Sequence, residues 1–109
     1  MNDVRKKSYL FSAPLISTHK AAMTQCKNLH NYTTYSDIDD IKSILIENRG
    51  GTNESFALSS IKNAKLLIIK DNLKAIDSLT NGIDGILPNI MVTDSLKVSY
   101  QHTINPKLC

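Results

Sequence analysis

The residue types best suited to metal chemistry form one row in the N-terminal third of the sequence. They recur at intervals of four, three and four residues, so they would lie along one face of a helix. These residues are His19, Met23, Cys26 and His30. Imidazole, thioether and thiolate groups are ligands for Cu(I) or Zn²⁺. One straight helix cannot surround a tetrahedral ion, so a metal would need further ligands, for which His102 and Cys109 are candidates.

The alternative is that this row is the buried face of the first helix. Methionine and cysteine are ordinary core residues, and histidine is common at the edge of a buried stripe. Ligand pairs at the spacing typical of zinc sites are absent from the sequence. We therefore predict no metal and no cofactor, and keep His19, Cys26 and His30 as the residues to check if a metal were found.

The only adjacent glycines, Gly50 and Gly51, stand in the stretch ENRGGTNESF and could form a loop that binds phosphate. Such a loop needs free backbone N–H groups and usually a nearby cation. The carboxylate of Glu54 would compete for those N–H groups, and no lysine follows at the required spacing. The sequence favours a plain connection between two helices, in which Gly50 ends the first helix and Thr52 or Asn53 caps the second.

Acidic and hydroxyl side chains elsewhere offer no clear catalytic site. Asp37, Asp39 and Asp40 lack the glycine-containing pattern of a calcium loop, and they suit the positive end of a helix dipole. Ser12 lies between a predicted strand and a predicted helix, where a nucleophile could stand, but it also suits helix capping. We assign no catalytic residue, and the sequence favours a protein that is not an enzyme.

One stretch is similar in spacing to a known family. YLFSAPLIST resembles the phosphocysteine loop of IIB components of the lactose/cellobiose sugar phosphotransferase family, and NAKLLII and LPN…DSL follow in that family's order. Ser12 stands where that family has its nucleophilic cysteine, and Leu15 replaces a loop glycine. The resemblance implies, as an alternative function, a small α/β enzyme or phosphocarrier-like protein without the usual thiolate.

Length and composition describe an ordinary globular chain. The 109 residues are 41% hydrophobic and 21% charged, which predicts a single globular domain over 1–109. The 13 Ile, 10 Asn and 11 Lys against 2 Arg indicate AT-rich coding. The net charge of +3 includes an acidic middle and few arginines, which disfavours nucleic-acid binding.

Two cysteines are too few for a disulfide framework, and whether Cys26 and Cys109 are paired stays open. No apolar run approaches the ~20 residues of a membrane span. The N-terminal stretch lacks a clean cleavage site for a signal peptide, so we predict a cytoplasmic protein without membrane contact.

Hydrophobic spacing predicts a fold of the α/β or α+β class. We expect one layered domain with a mixed β-sheet, three to four helices and a C-terminal β-hairpin. Whether 65–70 forms a strand stays open, since one helix over 54–80 would also fit the spacing. That helix would place Lys65 and Asn72 in its apolar face, so we prefer a helix, a strand and a helix. The predicted strands lie near 6–14, 65–70, 89–92 and 96–104, and the predicted helices near 12–30, 36–49, 52–64 and 72–81.

The functional prediction depends on the last predicted strand, at 96–104. The stretch LKVSYQHTI alternates apolar and polar residues, as a half-exposed strand does. We predict that Val98, Tyr100, His102 and Ile104 form a face that pairs with a protein partner or a second copy of the chain. The alternative is that this face covers the domain's own helices. The sequence thus favours a small non-catalytic binding or regulatory protein acting through protein–protein contact, with a homodimer as one form.

Overall fold

The computed structural model describes residues 20–109, which form an α/β fold of strands and helices in mixed order. We number the strands β1 to β4 and the α-helices α1 to α4. The strands are β1 Lys20–Met23, β2 Ile44–Asn48, β3 Lys65–Ile69 and β4 Met91–Asp94. The helices are α1 Tyr35–Ile38, α2 Thr52–Ser60, α3 Asn72–Asn81 and α4 Ser95–Ile104, with a 3₁₀ helix at Cys26–Asn31. Within residues 20–109, no helix has the length and apolar character needed to span a membrane.

The strands form two pairs that meet at one point. β2 and β3 are parallel, with Ile46 opposite Leu67, while β1 and β4 are antiparallel, with Lys20 opposite Asp94. A single parallel bridge between Leu45 and the residue before β4, Ile90, joins the two pairs. The order across the molecule is therefore β3, β2, β4, β1, and the fold class with a mixed sheet is confirmed.

The core lies where α2, α3 and α4 pack against these strands. β2 is buried along its centre because it has a neighbour on each side, and its Leu45 and Ile46 are fully buried. α3 contributes Ala75, Ile76 and Leu79 at helical spacing. The helix at 52–60, the strand at 65–69 and the helix at 72–81 all lie where the sequence predicts them, which settles the open question about the strand.

Three predicted elements differ from the structure. The predicted helix over 36–49 is instead the short α1 followed by β2, and Ile41, which the helix would bury, is 80% exposed. The predicted first helix contains β1 over its 20–23 portion. The remainder of that helix before Lys20, including Ser12, and the first predicted strand lie outside the described residues.

The predicted C-terminal hairpin is wrong, because the segment after β4 is the helix α4. Residues that alternate along a strand separate on a helix, since each step turns by about 100°. Val98 is accordingly buried at 1% exposure and His102 is half-buried, whereas Tyr100 and Ile104 are exposed. The four residues do not share one face, so the predicted interaction surface does not exist as a strand face.

A disulfide between Cys26 and Cys109 connects the C-terminal segment to the end of β1. Backbone hydrogen bonds support it, because Thr24 and Cys109 each donate an N–H to the other's carbonyl at 2.8 Å. The N–H of Cys26 also donates to the carbonyl of Lys107 at 2.7 Å. The disulfide thus bridges 83 residues and holds the segment after α4 against the sheet.

Candidate functional site

One polar cluster at the protein surface centres on the ammonium group of Lys20. Its Nζ lies 2.6 Å from Asn53 Oδ1, 3.0 Å from Thr52 Oγ1 and 3.4 Å from Asp94 Oδ1. The Lys20 side chain is only 13% exposed, while that of Asp94 is 54% exposed. We call these four residues the Lys20 cluster. The structure therefore holds one cation in a fixed position at the protein surface, with its hydrocarbon stem covered.

Three elements position this cluster. Antiparallel pairing puts Lys20 directly opposite Asp94, which is the last residue of β4. Thr52 and Asn53 form the first turn of α2, and Asn53 Nδ2 also lies 3.5 Å from Thr93 Oγ1. The start of β1, the end of β4 and the start of α2 thus meet at one edge of the fold.

The glycine pair forms the loop that brings α2 to this edge. Gly50 and Gly51 both have φ of +89°, a backbone conformation that glycine adopts without strain. The Glu54 carboxylate accepts the Gly50 N–H at 2.6 Å, as the sequence indicates. The pair connects a strand to a helix rather than two helices. Gly51 is the N-cap and has no side chain, so α2 begins without a side-chain cap and the Thr52 and Asn53 side chains are left to bind Lys20.

An open cleft of about 770 Å³ lies directly against the Lys20 cluster. Its lining combines two cations, one carboxylate, two hydroxyls and one exposed leucine. The lining residues are Lys20, Thr52, Asp94, Ser95, Leu96 and Lys97. A volume of this size accommodates a small organic molecule, and the mixture of charge and apolar surface suits a ligand with a charged group on a hydrocarbon frame.

A buried carboxyl group lies between β2 and β4. Glu47 on β2 is fully buried, and its Oε2 accepts the Val92 N–H at 2.6 Å. Burial raises the pKa of Glu47 to about 8, an effect that outweighs the opposing influences of the Val92 N–H and of Lys20. Glu47 is therefore mostly protonated at neutral pH.

The structure separates some of the predicted metal candidates and brings others together. His19 lies outside the described residues, His30 is exposed on the 3₁₀ helix, and Cys26 forms the disulfide. The ligand atoms of Cys26, His102 and Cys109 lie within 4.8 Å of one another. The structure brings His102 beside that disulfide instead, with Nδ1 at 4.0 Å from Cys26 Sγ and 3.9 Å from Cys109 Sγ. His102 Nδ1 also lies 2.7 Å from the carbonyl oxygen of Leu108, so the ring packs against the C-terminal segment rather than facing a partner.

The three aspartates predicted at the positive end of a helix have separate roles, and Asp40 accepts the Lys42 N–H at 2.8 Å. Asp37 completes a capping box with Thr34 at α1. Asp39 is buried and accepts N–H groups from the loop at 62–64, with distances of 2.8 Å to Asn63 and 2.9 Å to Ala64. Burial acts to raise the pKa of Asp39, but these backbone donors together outweigh it and the pKa is lowered. Asp39 thus anchors the loop before β3.

Sequence reasoning missed Lys20 and Asp94 as site residues. Lys20 falls within a stretch that fits helical spacing, so nothing marked it as a strand residue facing another strand. Asp94 follows the apolar run of β4, and a polar residue after a buried strand is the signal that could have found it. Thr52 and Asn53 were noted as caps only, because Lys20 is more than thirty residues away in the sequence.

Comparison with known proteins finds relatives and solved structures that share this fold. No protein-family model matches the chain. The cyclohexadienyl dehydratase of Pseudomonas aeruginosa is 30% identical over all 109 residues, which make up 39% of that protein. The crystal structure of an ancestral cyclohexadienyl dehydratase matches the whole chain with a TM-score of 0.74 at 22% identity, over 44% of its own length.

A transporter component has the same fold. An amino acid ABC transporter substrate-binding protein from Streptococcus pneumoniae, bound to L-arginine, matches the whole chain with a TM-score of 0.67 at 20% identity, over 44% of its length. The chain thus spans about two fifths of the length of the proteins that it matches. At these identities the solved structures establish the fold.

Two functional predictions from the sequence are therefore wrong. The neighbours bind or convert small molecules, which overturns the predictions of a regulator that acts through protein contact and of a protein or homodimer partner. The phosphocarrier-like alternative has no support either.

The predicted cytoplasmic location is also wrong. Substrate-binding components of ABC transporters work outside the cytoplasm, and the proteins that share this fold include several of them. The disulfide fits an oxidising compartment of that kind.

Proposed function

We propose that this chain provides part of an extracytoplasmic binding site for a small molecule that carries a carboxylate. The observation that supports this most strongly is the Lys20 ammonium, held at the edge of an open cleft beside the first turn of α2. A cation next to the positive end of a helix favours an anion, and the hydrogen bonds that form are charge-assisted.

The geometry also indicates how a ligand would enter the cluster. Asp94 makes the longest of the three contacts to Lys20 Nζ, at 3.4 Å, and its side chain is half exposed. A ligand carboxylate can therefore take the place of Asp94 beside the ammonium while Thr52 and Asn53 keep Lys20 in position. Leu96, at 84% exposure, offers apolar surface to the rest of the ligand.

The comparisons support a small ligand of this kind. A substrate-binding protein with this fold holds L-arginine, an amino acid whose carboxylate needs a partner of the type that Lys20 provides. The disulfide and the ABC-transporter neighbours support the extracytoplasmic location. The activity and substrate of the whole protein are part of this proposal, because the chain spans only two fifths of its relatives.

Isothermal titration calorimetry of the 109-residue chain with L-arginine, L-lysine and cyclohexa-2,5-diene-1-carboxylate tests the proposal. We expect at least one of them to bind, and Lys20→Met to weaken that binding about 10- to 100-fold, since a hydrogen bond to a charged group contributes roughly 1.5–3 kcal/mol. The matched control is Lys74→Met, which removes an exposed lysine on α3. Equal losses in the two variants, or no binding at all, would contradict the proposal.

A dehydratase is the second candidate function, favoured by the 30% identity to a cyclohexadienyl dehydratase over the whole chain. Loss of water from a cyclohexadienyl alcohol requires a proton on the departing oxygen, and Asp94 is the carboxyl group among the residues that line the cleft. The assay is the rise of ultraviolet absorbance as an aromatic product forms from a cyclohexadienyl alcohol that bears a carboxylate. Turnover that Asp94→Asn abolishes supports the candidate, and turnover that survives this change contradicts the role of Asp94.

A further inference from the structure

Three side chains of the types that bind Zn²⁺ meet where the C-terminal segment lies against the chain that follows β1. They are Cys26, His102 and Cys109, and one ligand atom from each lies within 4.8 Å of the others. His102 Nδ1 is 4.0 Å from Cys26 Sγ and 3.9 Å from Cys109 Sγ. Cys26 and His102 are only half-buried, so an ion can reach this group from solvent. Two thiolates and an imidazole are a common ligand set for zinc.

The two sulfur atoms are bonded to each other in the structure, so this group cannot bind a metal ion while the disulfide is intact. The backbone holds the two cysteines side by side independently of that bond. The N–H of Cys26 donates to the carbonyl of Lys107 at 2.7 Å. Thr24 and Cys109 each donate an N–H to the other's carbonyl at 2.8 Å. Reduction of the disulfide therefore leaves two thiols on neighbouring, hydrogen-bonded segments.

The geometry matches a tetrahedral zinc site after small movements of the side chains. Zn–S bonds of about 2.3 Å and a Zn–N bond of about 2.0 Å place sulfur and nitrogen about 3.5 Å apart and the two sulfurs about 3.8 Å apart. The two sulfur–nitrogen distances in the structure already lie within about 0.5 Å of that value. The Cα atoms of the cysteines are 4.9 Å apart, so rotation of the two reduced side chains can separate the sulfurs without moving the backbone.

Two backbone carbonyl groups beside the sulfurs also favour a cation. The Pro106 oxygen lies 3.3 Å from Cys26 Sγ, and the Leu108 oxygen lies 2.7 Å from His102 Nδ1. Because a carbonyl oxygen only accepts, Nδ1 carries the proton in this second contact. A metal ion at Nδ1 takes the place of that proton, and a water molecule in its fourth coordination position can donate to the Leu108 carbonyl.

We propose that Cys26, His102 and Cys109 form a Zn²⁺ site that opens when the disulfide is reduced. The reductant is a small thiol, of which two molecules supply two electrons and two protons. The protein S–S bond breaks, Cys26 and Cys109 become thiols, and the two small thiols join as a disulfide. Zn²⁺ then displaces the two cysteine protons into solvent, while the imidazole stays neutral with its proton on Nε2.

The site lies apart from the cleft and does not depend on the proposed function. Lys20, at the cleft, is the first residue of β1, whereas Cys26 comes after the last residue of that strand. The zinc ion connects the same two segments as the disulfide does. In the reduced chain it therefore holds the C-terminal segment in place of the S–S bond.

A titration with Co²⁺ and then Zn²⁺ tests the site in the 109-residue chain. The chain is used oxidised, and also after reduction by a phosphine that is removed under nitrogen. Thiolate bound to Co²⁺ absorbs in the near ultraviolet, and Zn²⁺ abolishes this absorption when it displaces the Co²⁺. We expect one equivalent of Co²⁺ to saturate this absorption in the reduced chain, and no such absorption in the oxidised chain. No saturable absorption in the reduced chain would overturn the proposal.

The variant His102→Ala tests the imidazole ligand. Loss of a hydrogen-bond partner of a ligand costs about 10- to 100-fold in metal affinity, and loss of the ligand itself should cost no less. His30→Ala is the matched control, because His30 is an exposed histidine in the same 3₁₀ helix as Cys26. We expect it to bind Co²⁺ as the unmodified chain does. Equal affinity in the two variants would overturn the role of His102.

Circular dichroism gives the decision if the reduced chain does not stay folded without metal. Metal binding is then coupled to folding, so one equivalent of Zn²⁺ should restore the spectrum of the oxidised chain. The double variant Cys26→Ser with Cys109→Ser should not respond to Zn²⁺. A reduced chain that stays unfolded with Zn²⁺, or a double variant that recovers equally, would overturn the proposal.

Discussion

At the scale of single residues, burial and the supply of hydrogen-bond donors together set the pKa values of the buried carboxyl groups. Asp39 and Glu47 are both buried, but their pKa values move in opposite directions. Asp39 receives several backbone N–H donors, which stabilise its charge, whereas Glu47 receives one and keeps an oxygen without a partner. The number of donors that reach a buried carboxyl therefore determines whether it is ionised at neutral pH.

Glu47 should make the stability of the protein depend on pH even without a ligand. Its folded-state pKa of about 8 lies above its ordinary value of 4.5, so its contribution is fully present below pH 4.5 and is lost as the pH rises to about 8. Glu47→Gln removes this loss. We expect its free energy of unfolding, relative to the unmodified chain, to improve by roughly 2–4 kcal/mol from pH 4.5 to pH 8. Urea unfolding at both pH values measures this, and a constant difference would contradict it.

Asp39 should matter for stability in the opposite pH range. Its folded-state pKa is lowered, so its contribution is present above its ordinary value of 3.8 and is lost as the pH falls below that value. Asp39→Ala leaves the N–H groups of the loop at 62–64 without an acceptor, and we expect a loss of about 2–3 kcal/mol at pH 7. The control is Asp40→Ala, which removes a single acceptor for the Lys42 N–H at an exposed position. Equal losses in chemical denaturation would show that Asp39 does not anchor this loop.

At the scale of elements, the sequence predicted the secondary structure correctly where the spacing of hydrophobic residues fitted only one type of element. The segment from 52 to 81 combines helix, buried strand and helix, and all three lie as predicted, with Asp71 capping α3 through the N–H groups of Leu73 and Lys74. Two segments fitted both the helical and the strand spacing of hydrophobic residues. The segment that forms β2 was predicted as part of a helix through Leu45, and the segment that forms α4 was predicted as a strand because its residues alternate. Tertiary neighbours decided both cases, because β2 lies between β3 and Ile90, and Val98 packs into the core from a helix.

The candidate site was less predictable than the elements. Its members come from three elements far apart in the sequence, and Lys20 meets Asp94 only because β1 pairs with β4. Each residue alone has an ordinary role: Thr52 and Asn53 start a helix, and Asp94 ends a strand. The spacing of these residues along the chain does not show that the three elements come into contact. The site could therefore be identified only from the fold.

The end of α3 offers a test of the fold at this scale. Gly82 has φ of +78°, and a Cβ there would lie 2.9 Å from the backbone oxygen of Ile86. Gly85 has a similar φ of +80° but open space around it, so it is a matched control. We expect Gly85→Ala to cost about 1 kcal/mol for the backbone conformation alone, and Gly82→Ala to cost about 1–3 kcal/mol more because the turn must shift. Thermal or urea unfolding that ranks the two variants equally would contradict the close approach at Gly82.

At the scale of the whole molecule, two features connect the fold to its proposed environment. The cleft is open and lies at the edge where β1, β4 and α2 meet, so a ligand reaches Lys20 directly from solvent. The Cys26–Cys109 disulfide closes a long loop that contains β2 to β4 and α1 to α4, and so constrains nearly all of the described fold. A disulfide of this kind is typical of proteins in an oxidising compartment outside the cytoplasm.

Reduction of the disulfide should therefore lower stability substantially. The loop of 83 residues predicts a loss of about 2–5 kcal/mol in the free energy of unfolding. Urea unfolding with and without a thiol reductant measures the loss. The double variant Cys26→Ser with Cys109→Ser is the control, since reductant should have no effect on it. Equal stability of the oxidised and reduced chains would show that the C-terminal segment is held by its backbone hydrogen bonds alone.

The central claim is that a carboxylate binds at the Lys20 ammonium, and NMR titration of the 109-residue chain with cyclohexa-2,5-diene-1-carboxylate tests it most directly. The spectra follow the backbone amides together with the Lys20 side-chain signals. We expect saturable shift changes at Lys20, Thr52, Asn53 and Asp94, and little change at the distant C-terminal segment near the disulfide. Saturable changes centred on other residues, or no saturable change at Lys20, would contradict the claim.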